Sequence, residues 1–308
     1  MSGFAHRDRV TLLAPAKINL YLEVKANRPD GYHELVMVLQ SISLSDRVEI
    51  HRWGVDAIKV HCDHPLVPCD QSNLAYRAAA LLQERYPDYG GVEITIEKNI
   101  PVGAGLAGGS ADGAAVLVGL NHLWQLGLTL IELQAIAAEL GSDLPFCLGG
   151  GTALAVGRGE VLSSLPALDN VALVIAKPRD LSISTGWVYQ TFRQRNLLAS
   201  APQVQLSSQM IAAIASPELD LLRVGRHLYN DLERVVLPAY AQVAELKAAL
   251  VAEETYGVLM SGSGSTVFAI ARDLSRAQQI ATVLPQAVSF AVDTWAVTTC
   301  CHGIQVAQ

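Results

Sequence analysis

The glycine-rich stretch that decides the fold is Pro101-Val-Gly-Ala-Gly-Leu-Ala-Gly-Gly-Ser-Ala-Asp112. Before it, residues from Val92 to Glu97 alternate between apolar and polar, which predicts a strand with one buried face and one wet face. After it, small residues from about Ser110 to Trp124 predict a helix. Backbone N–H groups at a helix start bind anions, and small side chains let a phosphate approach them. The stretch therefore predicts a phosphate-binding loop, although many glycine-rich turns are only structural.

The sequence of this stretch matches two nucleotide-binding motifs only in part. Gly103, Gly105 and Gly108 match the dinucleotide-binding pattern G-x-G-x-x-G, whereas Gly109 stands where the P-loop requires lysine. A dinucleotide-binding strand lies inside a parallel sheet and is apolar on both faces, unlike the strand predicted here. A Rossmann-type NAD-dependent oxidoreductase is thus the weaker alternative, and a binding module without catalysis is another.

Two charged residues outside the loop are candidate catalytic groups. Alternation from Leu12 to Val24 predicts a strand on which Lys17 and Asn19 share one face. A lysine at such a place is either a solvated charge or a functional amine. Asp143 follows Gly141, which is a good helix stop, so it is either the N-cap of the next helix or a carboxylate that deprotonates a hydroxyl.

Composition excludes several classes of protein. The 308 residues are 51% hydrophobic and 17% charged, which is enough apolar material for a large core. A net charge of −7 without a Lys/Arg block disfavours nucleic acid as a partner. No apolar run approaches the roughly 18 residues that a spanning helix needs, and the first ten residues lack a signal-peptide core. We therefore expect no membrane partner.

Cysteine usage predicts a reducing compartment, and hence a cytoplasmic location. The cysteines are few, odd in number and scattered, unlike a disulfide framework. They are Cys62, Cys69, Cys147, Cys300 and Cys301. The run His61-Cys-Asp-His64 has the wrong spacing for paired zinc knuckles, so we expect no metal site there.

Strands and helices interleave irregularly along the chain, which predicts an α+β fold. Further predicted strands run from Leu35 to Leu44 and from Asp46 to Arg52, and Ser72 is a plausible N-cap for a helix over Leu74 to Arg85. The composition changes near residue 165. We therefore expect two domains, residues 1–165 and residues 166–308.

Three ordered motifs together are far more specific than any one of them. They are Ala14-Pro-Ala-Lys-Ile-Asn-Leu20, Asn27-Arg-Pro-Asp-Gly-Tyr-His33 and Pro101-Val-Gly-Ala-Gly-Leu-Ala-Gly-Gly-Ser110. In this order they resemble the superfamily of galacto-, homoserine, mevalonate and phosphomevalonate kinases (GHMP kinases). The first two motifs are similar to the branch that serves the non-mevalonate isoprenoid pathway. Further matches are Ser72-Asn73-Leu74, Gly141-Ser-Asp-Leu-Pro145, Asn230-Asp-Leu-Glu233 and Met260-Ser-Gly-Ser-Gly-Ser265.

The resemblance implies a two-domain GHMP-kinase fold. Its N-terminal, ATP-binding domain is ribosomal-S5-like, its C-terminal domain is a ferredoxin-like α/β sandwich, and the active site lies in the cleft between them. The implied activity is transfer of the γ-phosphoryl group of ATP to a tertiary alcohol on a small substrate that carries a cytidine diphosphate group. Another small-alcohol kinase of the superfamily is the alternative. We expect a monomer or a weak homodimer.

The resemblance also implies roles for individual residues. Lys17 and Asp143 match the catalytic pair, while Asn19, Tyr32, His33 and Tyr189 match positions that hold the cytidine end of the substrate. The positions that surround ATP are Asn73, Lys98, Pro101, Val102, Gly103, Ala104, Gly105, Leu106, Ala107, Gly108, Gly109, Ser110 and Ala111. Mg²⁺ is implied as a second cofactor, carried mainly by the phosphates, and no protein metal ligand is assigned.

Departures from the family pattern are small. Ala104 and Ala107 replace glycines that are common in the loop, and Ala111 replaces a frequent second serine. Gly149 stands where some relatives carry a substrate-contacting lysine.

Overall fold

The computed structural model of the chain describes residues 8–200 and 206–307. Most of the segment tested for a signal peptide, residues 1–7, lies outside them. The strands are β1 Arg9–Asn27, β2 His33–Trp53, β3 Ile58–Cys62, β4 Gly91–Glu97, β5 Thr152–Gly157, β6 Val161–Ser164, β7 Ala172–Pro178, β8 Tyr229–Asn230, β9 Gly257–Met260, β10 Val267–Ile270, β11 Val292–Thr298 and β12 Gln305–Val306. The helices are α1 Leu74–Arg85, α2 Gly108–Leu123, α3 Leu130–Leu140, α4 Leu144–Gly149, α5 Thr185–Gln194, α6 Leu206–Ile214, α7 Leu221–Arg226, α8 Glu233–Ala239, α9 Ala241–Val251 and α10 Leu274–Val283.

The first sheet is built on two long antiparallel strands, β1 and β2. Its order is β12-β1-β2-β4-β3. In addition, β5 pairs with β2, and β6 pairs with β5. The prediction of two separate strands over Leu35–Arg52 is wrong, because the chain runs through this region as the single strand β2. The residues between the predicted strands include neither glycine nor proline, so nothing breaks the extended backbone. β2 pairs with β5 near its start and with β4 near its end.

The strand before the glycine-rich stretch, β4, pairs antiparallel with β2 and parallel with the edge strand β3. The alternating strand predicted over Val92–Glu97 is confirmed. A central position in a parallel sheet is what the dinucleotide-binding interpretation requires, and β4 does not have it. That interpretation is therefore wrong.

A β-bulge near the middle of β1 attaches this strand to the glycine-rich loop. The register with β2 shifts between Pro15 and Lys17. The N–H of Lys17 then donates to the carbonyl of Leu106 at 3.1 Å, rather than to β2. Bulges re-aim side chains in this way, and here the result is that Lys17 lies beside the loop.

Helices α1 to α4 pack around the first sheet. The helix predicted over Leu74 to Arg85 is confirmed as α1, but its predicted N-cap is wrong. The N-cap of α1 is Asn73, whose Oδ1 accepts from the N–H of Ala75 at 2.8 Å, and not Ser72, whose hydroxyl donates to Asp70. Helix α2 begins at Gly108, two residues before the predicted start, and its small residues let it lie close to the sheet. A Cβ on Gly119 would lie 2.5 Å from Ile50 Cδ1.

The second sheet has the order β11-β7-β10-β9, and all its pairs are antiparallel. Helices α9 and α10 pack on it and enclose a second apolar core. Two short strands of the later chain, β8 and β12, pair with β1 of the first sheet. Within the described residues, no helix combines the length and the apolar character needed to span a bilayer.

Candidate active site

A cavity of about 880 Å³ lies where the loops of both sheets meet. It collects nearly all the residues that the sequence singled out. Lining it are Lys17, Asn19, Tyr32, His33, Asn73, Lys98, every residue from Pro101 to Ser110, Asp143 and Tyr189. Ala111, which the resemblance placed beside ATP, is not among the lining residues, and its side chain is fully buried in the apolar core of the first sheet and its helices. Ala111 follows Ser110 on α2, and its Cβ faces the core instead of the loop.

The glycine-rich loop reaches the first turn of α2 through three residues with left-handed backbone. Gly103, Gly105 and Ala107 have φ of 63°, 76° and 58°. Glycine adopts this conformation freely, whereas the methyl group of Ala107 is strained there. The first N–H groups of α2 have no partner inside the helix, and they belong to loop residues that line the cavity. The loop is therefore built to receive an anion.

The turn between β9 and β10 holds the loop in place. The hydroxyl of Ser261 donates to the carbonyl of Gly105 at 3.1 Å and accepts from the N–H of Asn19 at 3.3 Å. The N–H of Thr266 donates to the carbonyl of Ala104 at 3.3 Å. Ser261 is fully buried, so these bonds do not exchange with water. One hydroxyl thus fixes the distance between β1 and the loop.

We predict that Gly105→Ala raises the KM for ATP at least about tenfold, because it combines left-handed strain with a clash. The new Cβ would lie 2.3 Å from the carbonyl oxygen of Ser261, so the loop must move. The control is Gly127→Ala, since Gly127 has a similar φ of 72° but no atom within 4 Å of its would-be Cβ. Initial rates against ATP concentration test this, and equal KM values for the two variants would contradict it.

Lys17 and Asp143 face each other across the cavity floor. The Nζ of Lys17 lies 4.0 Å from Oδ2 of Asp143, and it also donates to Asn19 Oδ1 at 2.8 Å and to the carbonyl of Gly105 at 3.2 Å. Asp143 occupies the N-cap position of α4 but makes no capping hydrogen bond. Of the two interpretations left open by the sequence, the structure therefore excludes the side-chain cap. The carboxylate is directed to the cavity instead.

Lys98 is held by two buried carboxylates beneath the loop. Its Nζ donates to Asp46 Oδ2, and to Asp112 Oδ2 at 2.9 Å. Asp46 Oδ1 also accepts from the N–H groups of Asn99 and Ile100. Burial raises the pKa of Asp112 well above its ordinary range, although Lys98 opposes this. Burial alone would lower the pKa of Lys98, but Asp112 and Asp46 outweigh it and raise it. The cluster ties β2, β4 and the first turns of α2 together.

We predict that Lys98→Met destabilises the protein by about 3–5 kcal/mol, because it leaves two carboxylates together in a buried site. Only 3% of the Lys98 side chain is exposed. Urea unfolding measures the loss, and a second change, Asp112→Asn, should restore part of it by removing one charge. Lys59→Met is the control, since Lys59 is paired with Glu93 on the surface. A Lys98→Met protein as stable as wild type but weak in ATP binding would make Lys98 a nucleotide ligand only.

The other end of the cavity is aromatic. The rings of His33 and Tyr189 lie 5.1 Å apart between centroids, and Phe192 meets His33 edge-on. Burial, and then the charge of Arg193, lower the pKa of His33, so its ring is neutral near pH 7. Among the residues that the structure describes, His33 Nε2 is buried without a hydrogen-bond partner. Because a buried polar atom needs a partner, this end of the cavity is suited to a polar ring such as a nucleobase.

Several residues of the site had no signal in the sequence analysis. Asp46, Arg158 and Arg193 belong to no motif that was given a role. Asp112 ends the glycine-rich stretch but was given no role of its own, and Ser261 appeared only within the match Met260-Ser-Gly-Ser-Gly-Ser265. Asp46 reaches the site on β2 and Arg158 on the turn after β5. Asp112 and Arg193 lie on helices α2 and α5, and Ser261 lies on the turn between β9 and β10.

A glycine-rich anion cradle, an amine–carboxylate pair and a two-sheet α+β fold define a GHMP-type small-molecule kinase. The family described as GHMP kinases N terminal domain matches residues 73–151, and the family described as GHMP kinases C terminal matches residues 210–289. A homoserine kinase from Cytophaga hutchinsonii superposes with a TM-score of 0.79 over 100% of both chains, at 19% identity. That likeness shows the fold alone.

More similar proteins narrow the assignment. A protein of Trichormus variabilis is 49% identical over 96% of this chain and 97% of its own, and one of Acaryochloris marina is 53% identical over 90% and 92%. Both are named 4-diphosphocytidyl-2-C-methyl-D-erythritol kinase. A crystal structure of a 4-(cytidine 5'-diphospho)-2C-methyl-D-erythritol kinase superposes with a TM-score of 0.76 and 36% identity, over 94% of this chain and 99% of that one. The chain belongs to the family of 4-diphosphocytidyl-2-C-methyl-D-erythritol kinases.

Proposed function

We propose that the protein transfers the γ-phosphoryl group of ATP to the 2-hydroxyl of 4-diphosphocytidyl-2-C-methyl-D-erythritol, a step of non-mevalonate isoprenoid precursor biosynthesis. The observation that carries this is a single cavity that joins an amine–carboxylate pair to an anion cradle on one side and to an aromatic end on the other. Relatives of about 50% identity bear the name of this activity.

At the reacting end we assign the chemistry to Asp143 and Lys17. Asp143 accepts the proton of the tertiary hydroxyl while the hydroxyl oxygen bonds to the γ-phosphorus. The bond between the γ-phosphorus and the β–γ bridging oxygen breaks, and ADP leaves with that oxygen. Phosphoryl transfer passes through a loose transition state, so charge neutralisation and positioning dominate. Lys17 is buried and fixed by three partners, and therefore offers a positive charge without reorganisation.

At the nucleotide end we assign the phosphates to the loop from Pro101 to Ser110 and to the N-terminus of α2. Asn73 and Lys98 line the same part of the cavity, and we keep them as residues near the nucleotide, with Lys98 acting through the buried cluster as well. The base of the substrate is assigned to Tyr32, His33 and Tyr189, with Asn19 beside Lys17.

Mg²⁺ is part of the proposal, carried mainly by the ATP phosphates. The site fits such an ion, because Ser110 lines the cavity and Asp112 Oδ1, two residues further, is buried with no hydrogen-bond partner in the described part of the chain. Oxygen donors of this kind are those that Mg²⁺ prefers. When bound, the ion would neutralise phosphate charge.

One experiment tests the proposed function against its nearest alternative. The protein is incubated with ATP, Mg²⁺ and one alcohol at a time, and ADP is measured. We expect ADP with the cytidylylated methylerythritol and none above background with mevalonate, homoserine or galactose. ADP formation with one of the other alcohols would make the protein another kinase of the class.

Further parts of the proposal concern the whole molecule. We place the domain boundary near residue 165, with the ATP-binding domain first. We also propose a monomer or weak homodimer, and a cytoplasmic location in keeping with the scattered cysteines.

A further inference from the structure

We infer that Arg158 binds the diphosphate of the substrate, an inference that rests on the proposed function. Between the base and the reacting alcohol the substrate carries two phosphates. Their charges lose water in the cavity and need cationic or N–H partners there. None of the roles assigned above supplies such a partner.

The charged side chains of the cavity identify the group by elimination. Among the described residues, its lining includes four ammonium or guanidinium groups, those of Lys17, Lys98, Arg158 and Arg193. Lys17 is fixed by its three partners on the cavity floor, and Lys98 by two buried carboxylates. Arg193 Nη2 donates to two backbone carbonyls at 2.9 Å, and so it shapes the turn after β1.

Arg158 differs from these three in how loosely it is held. It lies in the turn between β5 and β6, where its Nε is 3.5 Å from Oε1 of Glu160. In the part of the chain that the structure describes, its terminal nitrogens donate no hydrogen bond. Its guanidinium lies over the Tyr32 ring, 5.1 Å from the centroid, and 32% of the side chain is exposed. The arginine is thus oriented by an aromatic face but keeps donors for a ligand.

The position of Arg158 is between the two ends of the cavity. Tyr32, on which its guanidinium lies, is adjacent in sequence to His33 of the aromatic end. The next residue, Gly159, lies close to Ser142, since a Cβ built on Gly159 would lie 3.8 Å from Ser142 Cβ. Ser142 directly precedes Asp143. The diphosphate is the middle part of the substrate. When the substrate extends from the base site to Asp143, its diphosphate therefore lies beside Arg158.

Arginine suits this task because its planar fork binds phosphate oxygens in pairs. Mevalonate, homoserine and galactose have no diphosphate for such a contact. Arg158 is therefore a specificity-determining residue as well as a binding one.

The kinetic test is Arg158→Met, with Arg272→Met as the control. Arg272 is a surface arginine that pairs with Asp273 and does not line the cavity. For Arg158→Met we expect the KM for the cytidylylated methylerythritol to rise about 10- to 100-fold, with kcat within about threefold and the KM for ATP unchanged. The KM of Arg158→Lys for the cytidylylated methylerythritol should lie between those of wild type and Arg158→Met, because lysine keeps the charge and loses the planar fork. An unchanged substrate KM would overturn the inference.

A binding experiment isolates the diphosphate. Cytidine and CDP are titrated calorimetrically into wild type and Arg158→Met, each saturated with a nonhydrolysable ATP analogue. We expect CDP to bind more tightly than cytidine to wild type, and this ratio to fall at least about fivefold in the variant. Equal losses for cytidine and CDP would mean that Arg158 only orients Tyr32, which would also overturn the inference. If wild type makes no ADP from the cytidylylated methylerythritol, the proposed function fails, while the titration still decides the role of Arg158.

Discussion

Asp143→Asn is expected to lower kcat by about 10²- to 10⁴-fold, which is the range for loss of a general base. The amide is nearly the same size as the carboxylate but cannot take up the proton of the attacking hydroxyl. Because Asp143 makes no capping hydrogen bond among the described residues, its change to asparagine removes no hydrogen bond from the start of α4. The fold and the ATP site should therefore survive the change.

The measurement is ADP release at saturating concentrations of both substrates, together with the dissociation constant of a nonhydrolysable ATP analogue. We expect that constant to stay within about threefold of wild type, since nothing in the phosphate cradle bonds to Asp143. Asp88→Asn is the matched control, at an exposed turn outside the cavity. A kcat within a few fold of wild type would remove Asp143 from the proposed chemistry.

The strand, glycine-rich loop and helix of the proposed phosphate site could be predicted from the sequence because their signal is local. A strand with one wet face, a run of small residues and a helix lie within about thirty consecutive residues, and each has its own pattern. The first residue of α2 was predicted two residues too late, because Gly108 and Gly109 are poor helix formers. The helix nevertheless begins with them, directly after the left-handed residue Ala107.

Contacts between distant parts of the chain left no such pattern. Asp46 meets Lys98 across 52 residues, and Ser261 meets Asn19 across 242. Each of these side chains, taken alone, is an ordinary polar residue in a strand or turn. Only the pairing of β2 with β4 and the position of the turn after β9 bring them to the loop. For Asp143, likewise, local rules favoured a cap, and only the approach of β1 shows what its carboxylate faces.

Lys17→Met is expected to lower kcat by about 10²- to 10³-fold, comparable to removal of one preorganised donor at a developing charge. Lys17 is only 5% exposed, so methionine can fill much of its volume without admitting water. The carbonyl of Gly105 keeps its bond from Ser261, and the loop also keeps the backbone bonds from Thr266 to Ala104 and from Lys17 to Leu106. We expect a small change in the midpoint of urea unfolding.

The split between kcat and KM separates two roles for the amine. If Lys17 neutralises charge that develops during transfer, kcat falls and the KM for ATP changes little, because the ground-state phosphates remain in the cradle. If Lys17 mainly holds ATP, the KM for ATP rises and kcat is preserved, which would contradict the proposal. Lys17→Arg sharpens the test. Arginine keeps the charge, but its planar fork does not fit between Asn19, Gly105 and Asp143. If Lys17→Arg is as slow as Lys17→Met, the reaction requires a point charge at the Nζ position.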